Sequence, residues 1–266
     1  MTTPTTTTPG LLLWGVAPYV TLVLLIGGTV YRRRYDRFGW TTRSSQLMES
    51  RFLRFASPVF HYGILGVIAG RLLGLVLPET WTAKIHIDEH AYHGIALIGG
   101  IPAGVAALGG LALLIARRRL TPTVLRATTG NDKAMYVALA AALALGLSAT
   151  LWNIGTPVYN YREGISLWFR GLFALNPQPT RMQQAPLIFR IHVGVGMLLI
   201  AMFPFTRLVH AFSAPVMYVV RPYIVYRARP AGRVAARPAR PGWEPVDWAA
   251  SAGFLSEGLD GPVPGL

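Results

Sequence analysis

Five apolar stretches, each long enough to cross a lipid bilayer, constrain this chain more than any other feature. A helix needs about 20 residues to span the hydrocarbon core of a membrane. The stretches lie at residues 11–30, 57–77, 94–116, 133–152 and 187–213, with polar segments between them. A single segment inside a bilayer satisfies its own backbone hydrogen bonds only as a helix. The sequence therefore predicts an all-α membrane protein, a bundle of five transmembrane helices.

The composition agrees with a membrane protein and limits its chemistry. Only 14% of the residues are charged and 52% are hydrophobic, whereas a soluble domain is usually about 25% charged. The net charge of +14 comes from basic runs between the apolar stretches, where they set orientation and meet anionic lipid, so nucleic acid is not a predicted partner. The chain has no cysteine, which excludes iron–sulfur ligation and leaves histidine as the obvious ligand for a redox centre.

The distribution of arginine predicts the orientation. Arginine is concentrated in the first and third loops and after the fifth stretch, whereas the second and fourth loops carry few charges. Since the arginine-rich side of a membrane protein is cytoplasmic, we expect a multi-pass protein of the cell membrane with its N-terminus outside and its C-terminus in the cytoplasm. Residues 1–10 are then an external tail and residues 11–226 the five-helix domain. The Pro-, Arg- and Gly-rich residues 227–266 form a cytoplasmic tail, disordered or bound to a partner.

Local signals predict how some of the helices begin, bend and are covered. Ser57 and Pro58 are typical of a helix start, and Pro204 predicts a kink within the fifth stretch. In the fourth loop, the sequence from Tyr161 to Phe173 is rich in leucine, tryptophan and phenylalanine. It predicts an amphipathic helix at the outer surface that covers the bundle as a lid.

Three histidines lie within the apolar stretches, where an ionisable side chain is unfavourable and usually functional. His192 and His210 are eighteen residues apart, which is five turns at about 3.6 residues per turn, so both project from one helix face roughly 27 Å apart. Because the second and fifth stretches run in opposite directions, His61 lies at the depth of His210, and the two can hold one porphyrin. A histidine hydrogen-bonded between helices is the alternative, but three at matching depths favour ligation.

His192 has no histidine partner at its own depth. The matching position, ten residues after His61, is Arg71, and a guanidinium stays protonated and cannot ligate iron. Glycines recur at spacings of three and four along the same stretch, which either clears a groove for a flat macrocycle or permits tight helix packing. These glycines are Gly63, Gly66, Gly70 and Gly74.

At these residues the sequence resembles the gamma subunit of respiratory nitrate reductase, a membrane cytochrome b. The matching stretches are FGWTTRSSQ (38–46), SPVFHYGILGVIAGRLLG (57–74), RRRLTPTVLRATTGND (117–132) and FRIHVGVGMLLIAMFPFTRLVHAFSAP (189–215). The last, with two histidines and the ending FPFTRLVH, is the most specific. The resemblance implies two b-type haems stacked between the second and fifth helices. It implies that His61 and His210 ligate the iron of the inner haem and that His192 ligates the iron of the outer haem.

The sequence departs from this family pattern twice on the outer side. The second outer ligand falls on Arg71, and the family's quinol-site lysine falls on Ala91, between His90 and His93. Three interpretations stay open: the outer haem is absent, or His93 or His90 ligates it opposite His192, or Arg71 impairs function. An arginine here could also pair with a haem propionate.

The resemblance implies an electron-transfer subunit that has no catalytic residue for nitrate. Menaquinol or ubiquinol would dock near Gly70, Arg71, His192 and His93, reduce haem b and release protons outside. An iron with two histidine ligands has no open position, so such a haem only passes electrons. The implied partners are a beta subunit with iron–sulfur clusters and an alpha subunit that reduces nitrate at molybdenum. The alternatives are a cytochrome b of another quinone-linked complex, or a haem-free membrane anchor.

Overall fold

A computed structural model of the protein describes residues 7–36, 51–84, 86, 89–154 and 159–212. Within these ranges the regular structure is helical, and five helices are long and apolar enough to cross a membrane. In chain order these spans are Thr8–Tyr35, Arg51–Val76, Ala91–Leu120, Gly130–Trp152 and Leu187–Phe205. They confirm the all-α fold class with five membrane-length helices, while the orientation stays a prediction. Most of the predicted external tail, and all of residues 227–266, lie outside the described residues.

Shorter helices connect the spans. They are Glu79–Lys84, Pro122–Arg126, Ile165–Phe173 and Pro179–Gln184. The third span belongs to a helix that begins two residues earlier, over Glu89–Leu120. The first span contains a π-helical turn, Leu12–Val16, which ends two residues before Pro18. A proline has no N–H to donate within a helix, so a local change of hydrogen-bond pattern at this point is expected.

The second and fifth spans differ from their predicted bounds. The second begins at Arg51, so Pro58 lies inside the helix and Ser57 is not its N-cap. Arginine and leucine at positions 51–54 favour a helix, and Pro58 removes only one backbone donor. In the fifth span, the α-helix covers Leu187–Met202 and is followed by the 3₁₀ turn Phe203–Phe205. Pro204 therefore accompanies the end of the α-helix rather than a kink within it.

Consecutive spans run in opposite directions, which gives the bundle two ends. The "His61 end" contains the starts of the second and fourth spans and the C-terminal parts of the others, where Gly28 lies against Pro204. The "His192 end" contains the start of the fifth span, and there Trp14 of the first span contacts Trp168. Each end therefore brings together residues from all five spans.

The second span packs mainly on the third, whereas the fifth packs on the fourth and the first. Gly63 and Gly110 permit the close approach of the second and third spans, since a Cβ at either would overlap the backbone of Ala107 or Phe60. The second and fifth spans are not packed closely against each other. We interpret the space between these two spans, which carry the histidines, as a cleft.

The four regularly spaced glycines of the second span serve different purposes. A Cβ at Gly63 or Gly66 would press on the third span, and one at Gly74 would lie 2.9 Å from the Tyr161 hydroxyl. Only Gly70 has no atom within 4 Å of its Cβ position. Helix and loop packing thus explains three of them, whereas Gly70 faces open space.

The predicted lid helix is present over Ile165–Phe173 and packs onto the His192 end. Ile165, Trp168 and Leu172 are buried, whereas Phe173 is exposed. Trp168 Nε1 donates a hydrogen bond of 2.7 Å to the carbonyl of Trp14. These contacts attach the helix firmly to the first span.

Candidate functional site

The structure brings His61 and His210 together at one end of the cleft. Their ring centroids are 6.1 Å apart, with the ring planes inclined by 72°. A metal–imidazole bond is about 2 Å long, so two imidazoles on opposite sides of one metal ion have ring centroids roughly 6 Å apart. The separation of the two rings therefore suits a shared metal ion.

The hydrogen bonds of these two histidines select the nitrogen that could ligate a metal. His61 Nδ1 lies 2.7 Å from the Ser57 carbonyl, and His210 Nδ1 lies 2.5 Å from the Arg207 carbonyl. A carbonyl only accepts, so Nδ1 carries a hydrogen in both rings, and in a neutral ring of that tautomer Nε2 carries the lone pair. Ligating histidines are usually oriented by such a bond from the second nitrogen. Both residues thus have the tautomer that a haem iron requires.

A buried ion pair holds the segment that carries His210. Arg207 donates from Nε and Nη2 to the two carboxylate oxygens of Asp132, at 2.6 and 2.9 Å. The Asp132 side chain is only 4% exposed, and the residue forms a capping box with Thr129 at the start of the fourth span. The 3₁₀ turn Arg207–Ala211 is therefore fixed to the fourth span.

A second contact fixes the same segment one turn earlier. The Asn131 side-chain amide donates a 2.6 Å hydrogen bond to the carbonyl of Phe205. Sequence reasoning missed both anchors, although the Thr129–Asp132 spacing is the recognisable sequence pattern of a capping box. The partner Arg207, which lies 75 residues along the chain, had no such local signal.

At the His192 end an arginine, Arg71, stands on the second span where the His61 end has a histidine. Arg71 Nη2 donates a 3.2 Å hydrogen bond to the carbonyl of Gly146 in the fourth span. A Cβ placed on Gly146 would lie 3.3 Å from His192 Nε2 and 3.4 Å from Arg71 Nη2. The guanidinium and the imidazole thus meet at the same glycine.

The polar groups at this end lack strong partners. His192 Nδ1 is buried without a hydrogen bond to the described part of the chain. No carboxylate among the described residues forms an ion pair with Arg71. Burial raises the pKa of the nearby Tyr161 hydroxyl far above its usual range, and its neighbour Tyr92 adds to that effect. Tyr161 is therefore neutral and does not balance the charge of Arg71.

The other predicted site residues are dispersed around this end. Gly70 lies directly before Arg71 and leaves open space beside the second span. His93 is partly buried at the start of the third span, and in the described residues no hydrogen bond or ring contact joins it to His192. The side chain of His90 lies outside the described residues. His86 is exposed in the second loop.

Comparison with known proteins gives the family. The family model described as nitrate reductase gamma subunit matches residues 10–229. The chain belongs to the nitrate reductase gamma subunit family. It is 39% identical over 220 residues to the nitrate reductase gamma chain of Bacillus subtilis, which covers 83% of this chain and 99% of that protein. Identity to the respiratory nitrate reductase 1 gamma chain of Escherichia coli is 30% over 215 residues, or 80% and 95% of the two chains.

A longer relative matches more strongly. The chain is 53% identical over 236 residues to the nitrate reductase-like protein NarX of Mycobacterium tuberculosis, and the match covers 88% of this chain. It covers 36% of that protein, so the chain spans about a third of the relative's length. Family membership and five apolar helices together make this chain a multi-pass membrane protein of the gamma-subunit type.

Proposed function

We propose that this chain is the membrane cytochrome b subunit of a respiratory nitrate reductase, which oxidises quinol and passes the electrons to a cytoplasmic partner. The pairing of His61 with His210 is the observation that carries this proposal. Their ring separation of 6.1 Å and their shared tautomer suit two axial ligands of a b-type haem, and the cleft between their spans suits a flat macrocycle. Membership of the gamma-subunit family supplies the reaction class.

A haem held in this way supplies one-electron transfer and nothing more. His61 and His210 would hold the haem iron between them, and iron held by two imidazoles would supply electron transfer without binding nitrate or oxygen. The chain's own contribution is to orient the two imidazoles, through the carbonyls of Ser57 and Arg207 and through the anchor at Asp132. Reduction of nitrate is then the work of the molybdenum-containing alpha subunit, reached through the iron–sulfur beta subunit.

The quinol site belongs to the His192 end. Gly70 leaves room in the cleft beside Arg71, and His93 stands at the start of the neighbouring span. The Arg71 guanidinium would stabilise the negative charge that develops on a quinol oxygen as its proton leaves. His192, with a buried Nδ1 that has no partner in the described chain, would hydrogen-bond the quinol while the proton leaves to water. Menaquinol or ubiquinol fits this chemistry equally.

The distribution of basic residues supports a cytoplasmic His61 end. Arginine triplets end the first and third spans at this end, at residues 32–34 and 117–119. The positive-inside rule places such residues in the cytoplasm, where anionic lipid also attracts them. Quinol oxidation then occurs at the outer face, and the partner subunits dock at the inner face.

The test is the absorbance of haem b in the purified complex. We expect a reduced-minus-oxidised spectrum typical of haem b, lost in His61→Ala and in His210→Ala because either change removes an axial ligand. His86→Ala, which changes an exposed histidine, is the control and should retain the spectrum. An unchanged spectrum in His210→Ala would contradict the ligand assignment. A preparation without haem absorbance would instead indicate a haem-free anchor, and copurification with a subunit other than the molybdenum one would indicate a different quinone-linked complex.

A further inference from the structure

The two ends of the cleft offer an iron ion opposite environments. At the His61 end two imidazoles lie on the two sides of the cleft, each with its Nδ1 bonded to a carbonyl. At the His192 end a guanidinium reaches from the second span to the fourth and bonds the Gly146 carbonyl. A guanidinium is a permanent cation with no lone pair to offer a metal. This end therefore presents a positive charge where a second axial ligand would have to be.

His192 also lacks the support that ligating histidines have. Its Nδ1 makes no hydrogen bond within the described residues, whereas an orienting bond at the second nitrogen is the rule for metal ligands. Its Cε1 and Nε2 lie 2.8 and 3.3 Å from a Cβ built on Gly146, and the Arg71 guanidinium lies beside the same glycine. An iron ion bound to His192 in this position would therefore lie close to a buried cation.

Among the histidine side chains that the structure describes at this end, no other one pairs with His192. His93 makes no contact with His192 in the described chain. The carbonyl of Gly146 accepts a further bond of 2.9 Å from Thr150 Oγ1, so the acceptor of Arg71 is itself held in place by the fourth span. The fourth span thus holds the Arg71 guanidinium at this end through the Gly146 carbonyl.

We infer that this chain binds a single haem b, between His61 and His210, and that the Arg71 guanidinium keeps the His192 end free of a second one. The inference rests on the proposed haem function at the His61 end. It makes Arg71 the residue that determines the cofactor content of the subunit. The residue at position 71 then determines whether the same helix bundle binds one haem or two.

The first experiment measures the haem content of the full complex as pyridine haemochrome per copy of this chain. Electron paramagnetic resonance of the oxidised complex then counts the low-spin ferric haem signals. We expect one haem per chain and one signal. Two haems per chain would overturn the inference while leaving the proposed function intact. No haem would overturn the proposed function itself, so the two failures are distinguishable.

Four variants test the inference. Arg71→His should raise the content from one haem to two, because it replaces the cation with a neutral ligand opposite His192. Arg71→Lys, the matched control, keeps a cation at the same position and should stay at one. His192→Ala should also stay at one, whereas His61→Ala should have none. Loss of haem in His192→Ala, or a content of one in Arg71→His, would overturn the inference.

Discussion

The two ends of the cleft differ in how the protein compensates its polar groups. At the His61 end the groups that hold the histidines are paired: both histidines bond backbone carbonyls, and the Arg207 cation meets the Asp132 carboxylate. At the His192 end a cation and an imidazole lie together, and the described chain provides neither a carboxylate for Arg71 nor a partner for His192 Nδ1. His61 and His210 thus have their orienting bonds, whereas His192 Nδ1 and the Arg71 charge lack such partners in the described chain.

This difference shows how one scaffold supports two kinds of site. A fully compensated site holds its side chains in one geometry, which suits permanent cofactor ligation. An uncompensated buried charge is unfavourable by several kcal/mol in an apolar environment, and that free energy can be recovered when a polar ligand arrives. We therefore interpret the His61 end as a resident cofactor site and the His192 end as a substrate site.

The largest expected effect is at the compensated end. Asp132→Asn removes the charge that balances Arg207, and breaking one partner of a buried pair lowers the free energy of unfolding by about 3 kcal/mol. Because Arg207 lies three residues before His210, haem should also be lost from the complex. Thermal unfolding in detergent and the haem b absorbance measure the two effects. Asp36→Asn is the matched control, since Asp36 pairs with Arg32 but its side chain is 45% exposed.

An exposed pair of that kind contributes about 0–1 kcal/mol, so the control should behave almost like the parent protein. Equal effects of Asp132→Asn and Asp36→Asn would show that the His61 end is not held by the buried pair. The two ends of the cleft would then not differ in how firmly the protein holds their side chains.

A smaller effect is expected where the cleft is open. Gly70→Leu places a side chain in space that is otherwise empty within 4 Å of the Cβ position. The fold and the haem content should be unchanged, but reduction of the haem by quinol should fall by about tenfold, the equivalent of about 1.4 kcal/mol. Stopped-flow reduction with a soluble quinol measures the rate. Gly27→Leu in the first span, also without neighbours within 4 Å, should leave the rate unchanged.

Either of two results would change this interpretation. An unaltered rate in Gly70→Leu would show that quinol does not approach along this part of the second span. Loss of haem in the same variant would show that a haem, rather than a substrate, occupies the His192 end.

The smallest effect concerns alkaline stability. Burial raises the pKa of Tyr161 in the folded protein, with Tyr92 contributing in the same direction. Below pH about 10 the hydroxyl is protonated in both states, and above it the unfolded chain ionises first. Stability should therefore fall as the pH rises above 10, by about 1 kcal/mol over the first pH unit.

Tyr161→Phe should remove this part of the pH dependence, measured as the difference in unfolding free energy between pH 9 and 11. Between pH 7 and 9 the same variant and the parent should show equal slopes. A parent protein whose stability did not change above pH 10, relative to the variant, would indicate that Tyr161 is not shielded from water by the lid helix.

Much of the fold could be predicted from local patterns, because hydropathy is a property of each stretch by itself. The pairing of His61 with His210 was also predicted at the right depth, although one step of that argument was wrong. The prediction assumed a continuous helix from His192 to His210, whereas the α-helix ends at Met202 and His210 lies on a 3₁₀ turn. The segment still reaches the right depth because Asp132 and Asn131 hold it there.

The sequence by itself determined the five spans, the histidines available for ligation and the presence of an arginine ten residues after His61. These follow from residue identity, spacing and the requirement that a bilayer imposes on backbone hydrogen bonds. Only the tertiary structure decided which glycines pack and which one opens a groove, what anchors His210, and that Arg71 bonds Gly146 beside His192. Each of these depends on side chains far apart in the chain, whose contacts exist only after the helices have packed.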